Sequence, residues 1–143
     1  MNADIKRKIA RIAHKYNLRL IILFGSQLQN KAGPDSDIDI AISGVKKLND
    51  EAYASLCHDL GKTLGNYKVD LSVLTHANPL LLGEIAKNCR SLYEKGKGDF
   101  MGFLLGAMRK YADAGPFFAA RDKYLMEKVR KYAREISRGD KNG

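Results

Sequence analysis

The chain has 143 residues, which is enough for one domain with its own hydrophobic core. Its hydrophobic fraction of 45% and charged fraction of 29% are those of an ordinary globular protein and argue against a disordered chain. The net charge of +9 favours polyanionic partners without identifying one, nucleic acid included. Because Cys57 and Cys89 form no disulfide framework and the N-terminus lacks an apolar leader, we expect a reduced, cytoplasmic protein that does not enter a membrane.

The positive charge is concentrated at the two ends of the chain. Residues 1–20 contain six basic residues against Asp4 alone, a formal charge of +5. Residues 100–143 contain ten basic residues against five acidic ones, again +5. Such segments are either solvated helix faces or binding patches for an anionic partner, and both interpretations stay open at this stage.

In the first part of the chain, the spacing of apolar residues predicts an amphipathic helix over residues 3–16. Residues 18–24 (LRLIILF) are too apolar and too short for anything but a buried strand. Residues 26–30 are compatible with one or two helical turns capped by Ser26, followed by a polar turn. Residues 37–43 (DIDIAIS) alternate strictly, with Ile38, Ile40 and Ile42 on one face and Asp37, Asp39 and Ala41 on the other, which indicates a strand.

The second part of the chain continues the mixture of helices and strands. We predict a helix at 49–64 capped by Asn49 or Asp50, a strand at 69–74, a helix after the Asn78 cap, a short edge strand at 91–94, and helices at 99–112 and 116–137. The last helix carries an apolar stripe made of Phe118, Leu125, Val129, Tyr132 and Ile136. This order predicts an α/β (α+β) fold with a small mixed sheet and flanking helices.

Three aspartates have the same phase on two predicted strands. Asp37 and Asp39 are separated by one residue, so they point to the same side with Cα atoms about 6.5–7 Å apart. Asp70 has the matching alternation on the later strand. If the two strands are neighbours, the carboxylates form an acidic cluster suited to Mg²⁺, and two such ions could clamp an in-line phosphoryl transfer. The simpler alternative is that these carboxylates only face solvent.

Gly25 and Ser26 lie where the first strand ends and a helix is predicted to begin. A glycine lets the backbone approach a phosphate closely, while free N–H groups, the helix dipole and the Ser26 hydroxyl favour an anion. One element would therefore hold a triphosphate, and the other would hold its metal ions.

The run Phe24-Gly25-Ser26, then ten residues, then Asp37-Ile38-Asp39 resembles the nucleotidyltransferase superfamily typified by the DNA polymerase β fold. The size of the chain resembles that of the minimal branch, the MNT antitoxins that act beside HEPN-domain toxins. The resemblance covers roughly residues 5–95. We therefore divide the chain into a nucleotidyltransferase core at 1–96 and a C-terminal helical extension at 97–143, both within one compact unit.

The resemblance implies a role for each site residue. Gly25 and Ser26 would bind the phosphates of a nucleoside triphosphate, and Asp37 and Asp39 would bind Mg²⁺. Asp70 would be the third carboxylate, acting on the acceptor hydroxyl as metal ligand or general base. Similar antitoxins transfer AMP from ATP to a tyrosine of a HEPN-type RNase toxin, and we expect the same reaction here.

Two other functions remain open from the sequence. The chain could be a stoichiometric antitoxin that neutralises a toxin by contact through its basic C-terminal helices. It could also transfer a nucleotide to a small-molecule hydroxyl, although few residues beyond the core are available to build the pocket. The run Gln27–Asn30 departs from relatives that carry an arginine just after Gly-Ser, which removes one phosphate contact.

Overall fold

The computed structural model describes residues 1–25, 37–44 and 47–141. The predictions made for Ser26, for the helical turns at 26–30 and for the polar turn after them lie outside these residues. The described elements are α1 (Ala3–Lys15), β1 (Leu20–Phe24), β2 (Ile38–Ser43), α2 (Asp50–Leu64), β3 (Val69–Val73), a 3₁₀ turn (Leu74–His76), α3 (Pro79–Lys87), β4 (Cys89–Glu94), α4 (Asp99–Asp113) and α5 (Gly115–Lys141).

Asparagine side chains cap three of the helices at their N-termini. Asn2 accepts a hydrogen bond from the Ile5 amide at 2.8 Å, Asn49 from Ala52 at 2.7 Å and Asn78 from Leu81 at 2.9 Å. Each cap satisfies an amide that the helix itself leaves unpaired. The predicted starts of α2 and α3 are confirmed, with Asn49 rather than Asp50 as the cap of α2.

The four strands form one mixed sheet in the order β3-β2-β1-β4. β1 is antiparallel to both β2 and β4, whereas β2 and β3 run parallel. The predicted small mixed sheet is confirmed, and β4 is an edge strand as expected, although it begins at Cys89 rather than at residue 91. β1 begins at Leu20 rather than at 18 because Asn17 has a positive φ and the Leu18 amide donates to the Ala13 carbonyl.

Side chains on the two faces of the sheet pack into two separate hydrophobic clusters. Ile38, Ile40 and Ile42 lie in one cluster with buried residues of α1 and α2. Ala41 lies in the other, with Leu20, Ile22, Ile85 and Ala107 among its members. The isoleucines therefore share one face of β2, as predicted, and the other face is buried as well at Ala41.

The two C-terminal helices differ in how they join this fold. α4 packs on α3, where a side-chain carbon added at Gly83 would overlap the ring of Tyr111, so the absence of a Cβ allows the contact. α5 follows α4 after Ala114, and all of residues 119–139 are exposed. No helix in the described residues is both long and apolar enough to cross a membrane. The proposed boundary between residues 96 and 97 remains a prediction.

Candidate active site

Asp39 lies in the middle of the acidic residues because of the strand order. Its Cα is paired with Phe24 on β1 and with Asp70 on β3. The condition on which the acidic cluster depended, that the strands of Asp39 and Asp70 are neighbours, is therefore met. Asp37 directly precedes β2 and is exposed, as is Asp70, whereas Asp39 is partly buried.

Gly25 packs directly against Asp39. Its φ of 84° is in the left-handed region, which glycine adopts at little cost. A Cβ added at Gly25 would overlap the carboxylate of Asp39, and the nearest atom it would meet is Asp39 Oδ2. The end of β1 and the beginning of β2 therefore meet at a point where only a residue without a side chain fits. This contact joins the two halves of the predicted motif.

The other two aspartates contribute to a raised pKa of Asp39. The pKa of Asp39 is raised above its ordinary value of 3.8, first by partial burial, then by the charge of Asp70, and then by that of Asp37. Burial and the two neighbouring negative charges all disfavour the charged form of the carboxyl group. A cation bound between these carboxylates would reverse the effect, since it would compensate the repulsion.

The donor atoms in this cluster are all carboxylate oxygens, the ligand type that Mg²⁺ prefers. The residues therefore fit a hard divalent ion in their chemistry. They are not closed into a finished coordination shell, because within residues 1–25, 37–44 and 47–141 no three His, Cys, Asp or Glu side chains are arranged so that they could hold a metal ion together. The roles of Asp37, Asp39 and Asp70 as metal ligands consequently remain a prediction.

Tyr53 of α2 is a residue of this region that the sequence did not single out. Its hydroxyl donates a hydrogen bond of 2.8 Å to the carbonyl oxygen of Leu71, the residue after Asp70. Burial raises the pKa of Tyr53, with further contributions from Cys57 and from Asp70. Tyr53 thus ties the edge strand that carries Asp70 to α2. No spacing rule could have found it, because its partner is a backbone atom of another element.

Several clefts lined by described residues lie away from the aspartates. Three clefts of about 340, 400 and 340 Å³ share Ser43, at the end of β2 opposite to Asp39. One of them lies between the sheet and α4 and is lined by Arg19, Asp99 and Lys110 among others. None of these clefts contains the three aspartates of the cluster, so we assign the candidate chemistry by the carboxylates and Gly25 instead.

Comparison with known proteins agrees with this assignment of the fold. Residues 7–98 match the family described as Polymerase beta, Nucleotidyltransferase. The chain belongs to this family. The match covers all four strands with α2 and α3, so it includes Gly25, Asp37, Asp39 and Asp70. A search of curated proteins found no significant match.

The solved structures similar to this nucleotidyltransferase include chains from toxin–antitoxin complexes. A chain in a crystal structure of a toxin–antitoxin with AMP-PNP is 26% identical, with a TM-score of 0.65, over 87% of this chain and 98% of that chain. A chain in the structure of the tri-AMPylated Shewanella oneidensis HEPN toxin in complex with MNT antitoxin is 25% identical, with a TM-score of 0.63, over 91% and 99%. A chain of an MntA–HepT complex, at 24% identity and a TM-score of 0.62, supports the fold alone.

Proposed function

We propose that this nucleotidyltransferase is an antitoxin that transfers AMP from ATP to a tyrosine hydroxyl of a cognate HEPN-type RNase toxin. The observation that carries the proposal is the contact of Gly25 with Asp39, together with the register that pairs Asp39 with Asp70. These contacts support the proposal because they bring Gly25, the residue we take to bind phosphate, to the same end of the sheet as the carboxylates. The likeness to chains from two toxin–antitoxin structures, at 26% and 25% identity, supports the choice of acceptor.

In this reaction the acceptor oxygen forms a bond to the α-phosphorus of ATP, and the bond between that phosphorus and the oxygen bridging to the β-phosphate breaks. Pyrophosphate leaves with the bonding electrons, and AMP remains on the acceptor. The phenolic proton passes to Asp70 acting as general base. The backbone at Gly25 and the hydroxyl of Ser26 hold the triphosphate so that the leaving group lies opposite the attacking oxygen.

Asp37 and Asp39, with Asp70 as the third ligand, would hold Mg²⁺. When bound, Mg²⁺ supplies positive charge that stabilises the developing charge on the phosphate oxygens and on the leaving pyrophosphate. The raised pKa of Asp39 fits this role, because a group whose charged form is disfavoured in the free protein gains most when a cation binds beside it. The proposal includes the second Mg²⁺ ion that the sequence analysis considered for this acidic cluster.

The experiment that tests this function uses purified toxin, ATP labelled on the α-phosphate, and Mg²⁺. We expect label on a toxin tyrosine, loss of labelling when EDTA removes the metal, and recovery of RNase activity when labelling fails. Asp39→Asn is expected to reduce the labelling rate by about a thousand-fold, because several kcal/mol of charge stabilisation is lost. Asp4→Asn removes an exposed carboxylate of α1 and is the matched control.

Two outcomes would contradict the proposal. If Asp39→Asn protein labels the toxin at the wild-type rate, the site is assigned wrongly. If wild-type protein neutralises the toxin without labelling it, the chain is a stoichiometric antitoxin. Labelling of a small hydroxyl compound but not of the toxin would favour the third function considered from the sequence.

A further inference from the structure

A series of connected clefts runs from the outer side of α1, across the end of the sheet where β2 finishes, to α4. The open cleft on α1 has a volume of about 500 Å³ and shares His14 with a second cleft of about 340 Å³. The second cleft shares Asn17 with a third, and the third shares Ser43 and Thr75 with the two clefts beside α2 and α4. Because neighbouring clefts have lining residues in common, they form one continuous depression on the surface.

The charge of this depression is strongly positive. Seven lysine and arginine side chains line the five clefts against a single carboxylate, that of Asp99. In the whole chain, by contrast, there are 25 basic residues to 16 acidic ones. Like charges along a depression with low-dielectric walls concentrate the electrostatic field, so this surface attracts anions. We call it the basic groove and define it by its cations, Arg7, Arg11, Lys15, Arg19, Lys47, Lys95 and Lys110.

Most cations of the basic groove have no carboxylate partner. Lys15 is paired with Asp59 at 3.0 Å, and the Arg19 guanidinium lies 4.0 Å from Asp99, too far for a hydrogen bond. The other five form no ion pair with any residue that the structure describes, and all seven are exposed. Those on α1 follow one another at intervals of four residues, so they form a row with a spacing of about 6 Å. Such a row fits a polymer with regularly spaced negative charges.

The middle of the basic groove offers hydrogen-bonding groups and aromatic rings as well as charge. Asn17, Ser43 and Thr75 line it, and their side chains make no hydrogen bond to another residue of the described ranges. The rings of His14 and Tyr93 lie edge to face in the neighbouring cleft, with centroids 6.3 Å apart. Hydroxyl and amide groups can bond the 2′-hydroxyl that distinguishes RNA from DNA, and aromatic rings stack on unpaired bases. The combination is typical of a surface that binds single-stranded RNA.

Other anionic partners fit the basic groove less well. A membrane surface requires apolar side chains that project beside the cations, but Ile9 and Ile12 of α1 are buried in the core. Four of the seven cations are lysines, a residue type that is depleted in protein–protein interfaces. A duplex is read by an element that enters one of its grooves, whereas these cations line a depression. Single-stranded RNA is therefore the partner that matches both the shape and the charge.

We propose that the basic groove binds single-stranded RNA, with phosphates along the cations and unstacked bases against Tyr93. Ser43 and Asp39 lie at opposite ends of β2, so this site is separate from the acidic cluster. The proposal interprets the positive charge of residues 1–20 as a binding patch rather than a solvated helix face. It does not depend on the proposed function, because RNA binding needs neither ATP nor an acceptor protein.

The test measures binding of the full-length chain, without toxin or ATP, to a fluorescein-labelled oligouridylate of about 12 nucleotides, a length within the usual site sizes. In fluorescence anisotropy at about 50 mM salt we expect a Kd on the order of 10 µM that weakens steeply as salt is raised, because counterions are released. Arg11→Glu/Lys95→Glu should weaken binding at least about ten-fold, since two phosphate contacts become repulsive. Circular dichroism and thermal denaturation report whether the variant keeps its fold.

The matched control is Arg130→Glu/Lys123→Glu, which replaces the same residue types and changes the net charge by the same amount. Both residues are exposed on α5, and neither lines the basic groove. The control should bind RNA within about two-fold of the wild-type affinity, because exposed charges beyond a Debye length of the site are screened. Equal weakening by the two double variants would mean that net charge alone governs binding, which would overturn the proposal. Absence of RNA binding by the wild-type chain would assign the cations to solvated faces.

Further measurements identify the occupant. Tyr93→Leu keeps an apolar side chain against the core but removes the ring, and should weaken RNA binding about five-fold or more. Oligodeoxyuridylate of the same length should bind several-fold more weakly, because it lacks the 2′-hydroxyl. Equal or tighter binding of the DNA, or tighter binding of an RNA duplex, would overturn the assignment to single-stranded RNA. Displacement of the RNA by polyglutamate at equal charge would overturn it in favour of an acidic protein, and displacement by phosphatidylserine vesicles in favour of a membrane.

Discussion

The α/β fold and α5 obtain their stability in opposite ways. In the fold, Ile21, Ile40 and Leu60 are completely buried, and each helix has a face against the sheet or a neighbouring helix. In α5 the large apolar side chains after Phe118 are about half exposed or more, and no residue from 119 to 139 is buried. The difference teaches that burial of apolar side chains stabilises the α/β fold, whereas most of α5 gains little from packing on the described residues.

The largest expected effect tests that contrast through stability. Ile40→Ala in the fold should lower the free energy of unfolding by about 2–5 kcal/mol, because it leaves a cavity between the sheet and its helices. Val129→Ala in α5 should change it by no more than about 0.5 kcal/mol, because the side chain is 61% exposed. Urea denaturation of the two variants measures both values. Equal losses would mean that α5 is part of the folded core.

The next largest effect concerns the contact between Gly25 and Asp39. Gly25→Ala should reduce nucleotide transfer about a hundred-fold, since the methyl group would displace the Asp39 carboxylate. Gly65→Ala is the matched control, because Gly65 has a φ of 77° with open space around its missing side chain. Both variants should lose about 1 kcal/mol of stability from the left-handed backbone, measured by thermal denaturation. Retention of activity by Gly25→Ala would show that the motif tolerates movement of Asp39.

A smaller effect is expected where β3 is tied to α2. Tyr53→Phe removes the hydrogen bond to the Leu71 carbonyl and should cost about 1 kcal/mol of stability. Because Asp70 is the preceding residue, we also expect the transfer rate to fall several-fold. Tyr67→Phe, at a ring that is 65% exposed, should leave both quantities unchanged. Unchanged kinetics in Tyr53→Phe would mean that the edge strand holds Asp70 without this bond.

The smallest effect depends on pH and concerns the contact between α1 and α2. Partial burial would raise the pKa of Asp59, but hydrogen bonds from Tyr16 and Lys15 outweigh it and lower the pKa below 3.8. A carboxyl group whose pKa is lower in the folded state than in the unfolded state stabilises the fold at pH values above its unfolded pKa. This contribution disappears as the pH falls through its folded pKa. Asp59→Asn should therefore cost about 1 kcal/mol at pH 7, with a difference from wild type that shrinks below pH 3.8. A difference independent of pH would assign the effect to packing.

The sequence by itself determined the features that depend on neighbours along the chain. The alternation at 37–43 predicted which residues share a face of β2, because side chains of a strand point to opposite sides whatever the strand pairs with. Asn49 and Asn78 marked the starts of two helices, because a cap bonds to an amide three residues away. The family resemblance carried by Gly25, Asp37 and Asp39 rested on the same local spacing.

Only the tertiary structure decided which elements meet. The parallel pairing of β2 with β3 joins Asp39 to Asp70 across 31 residues, and no local pattern specifies that pairing. The approach of Gly25 to Asp39 and the bond from Tyr53 to Leu71 are likewise contacts between elements. The apolar stripe of α5 was visible in the sequence, but the helical spacing of its apolar residues does not show whether the stripe is buried or exposed. Its exposure follows from where the chain places the helix, beyond the reach of the sheet.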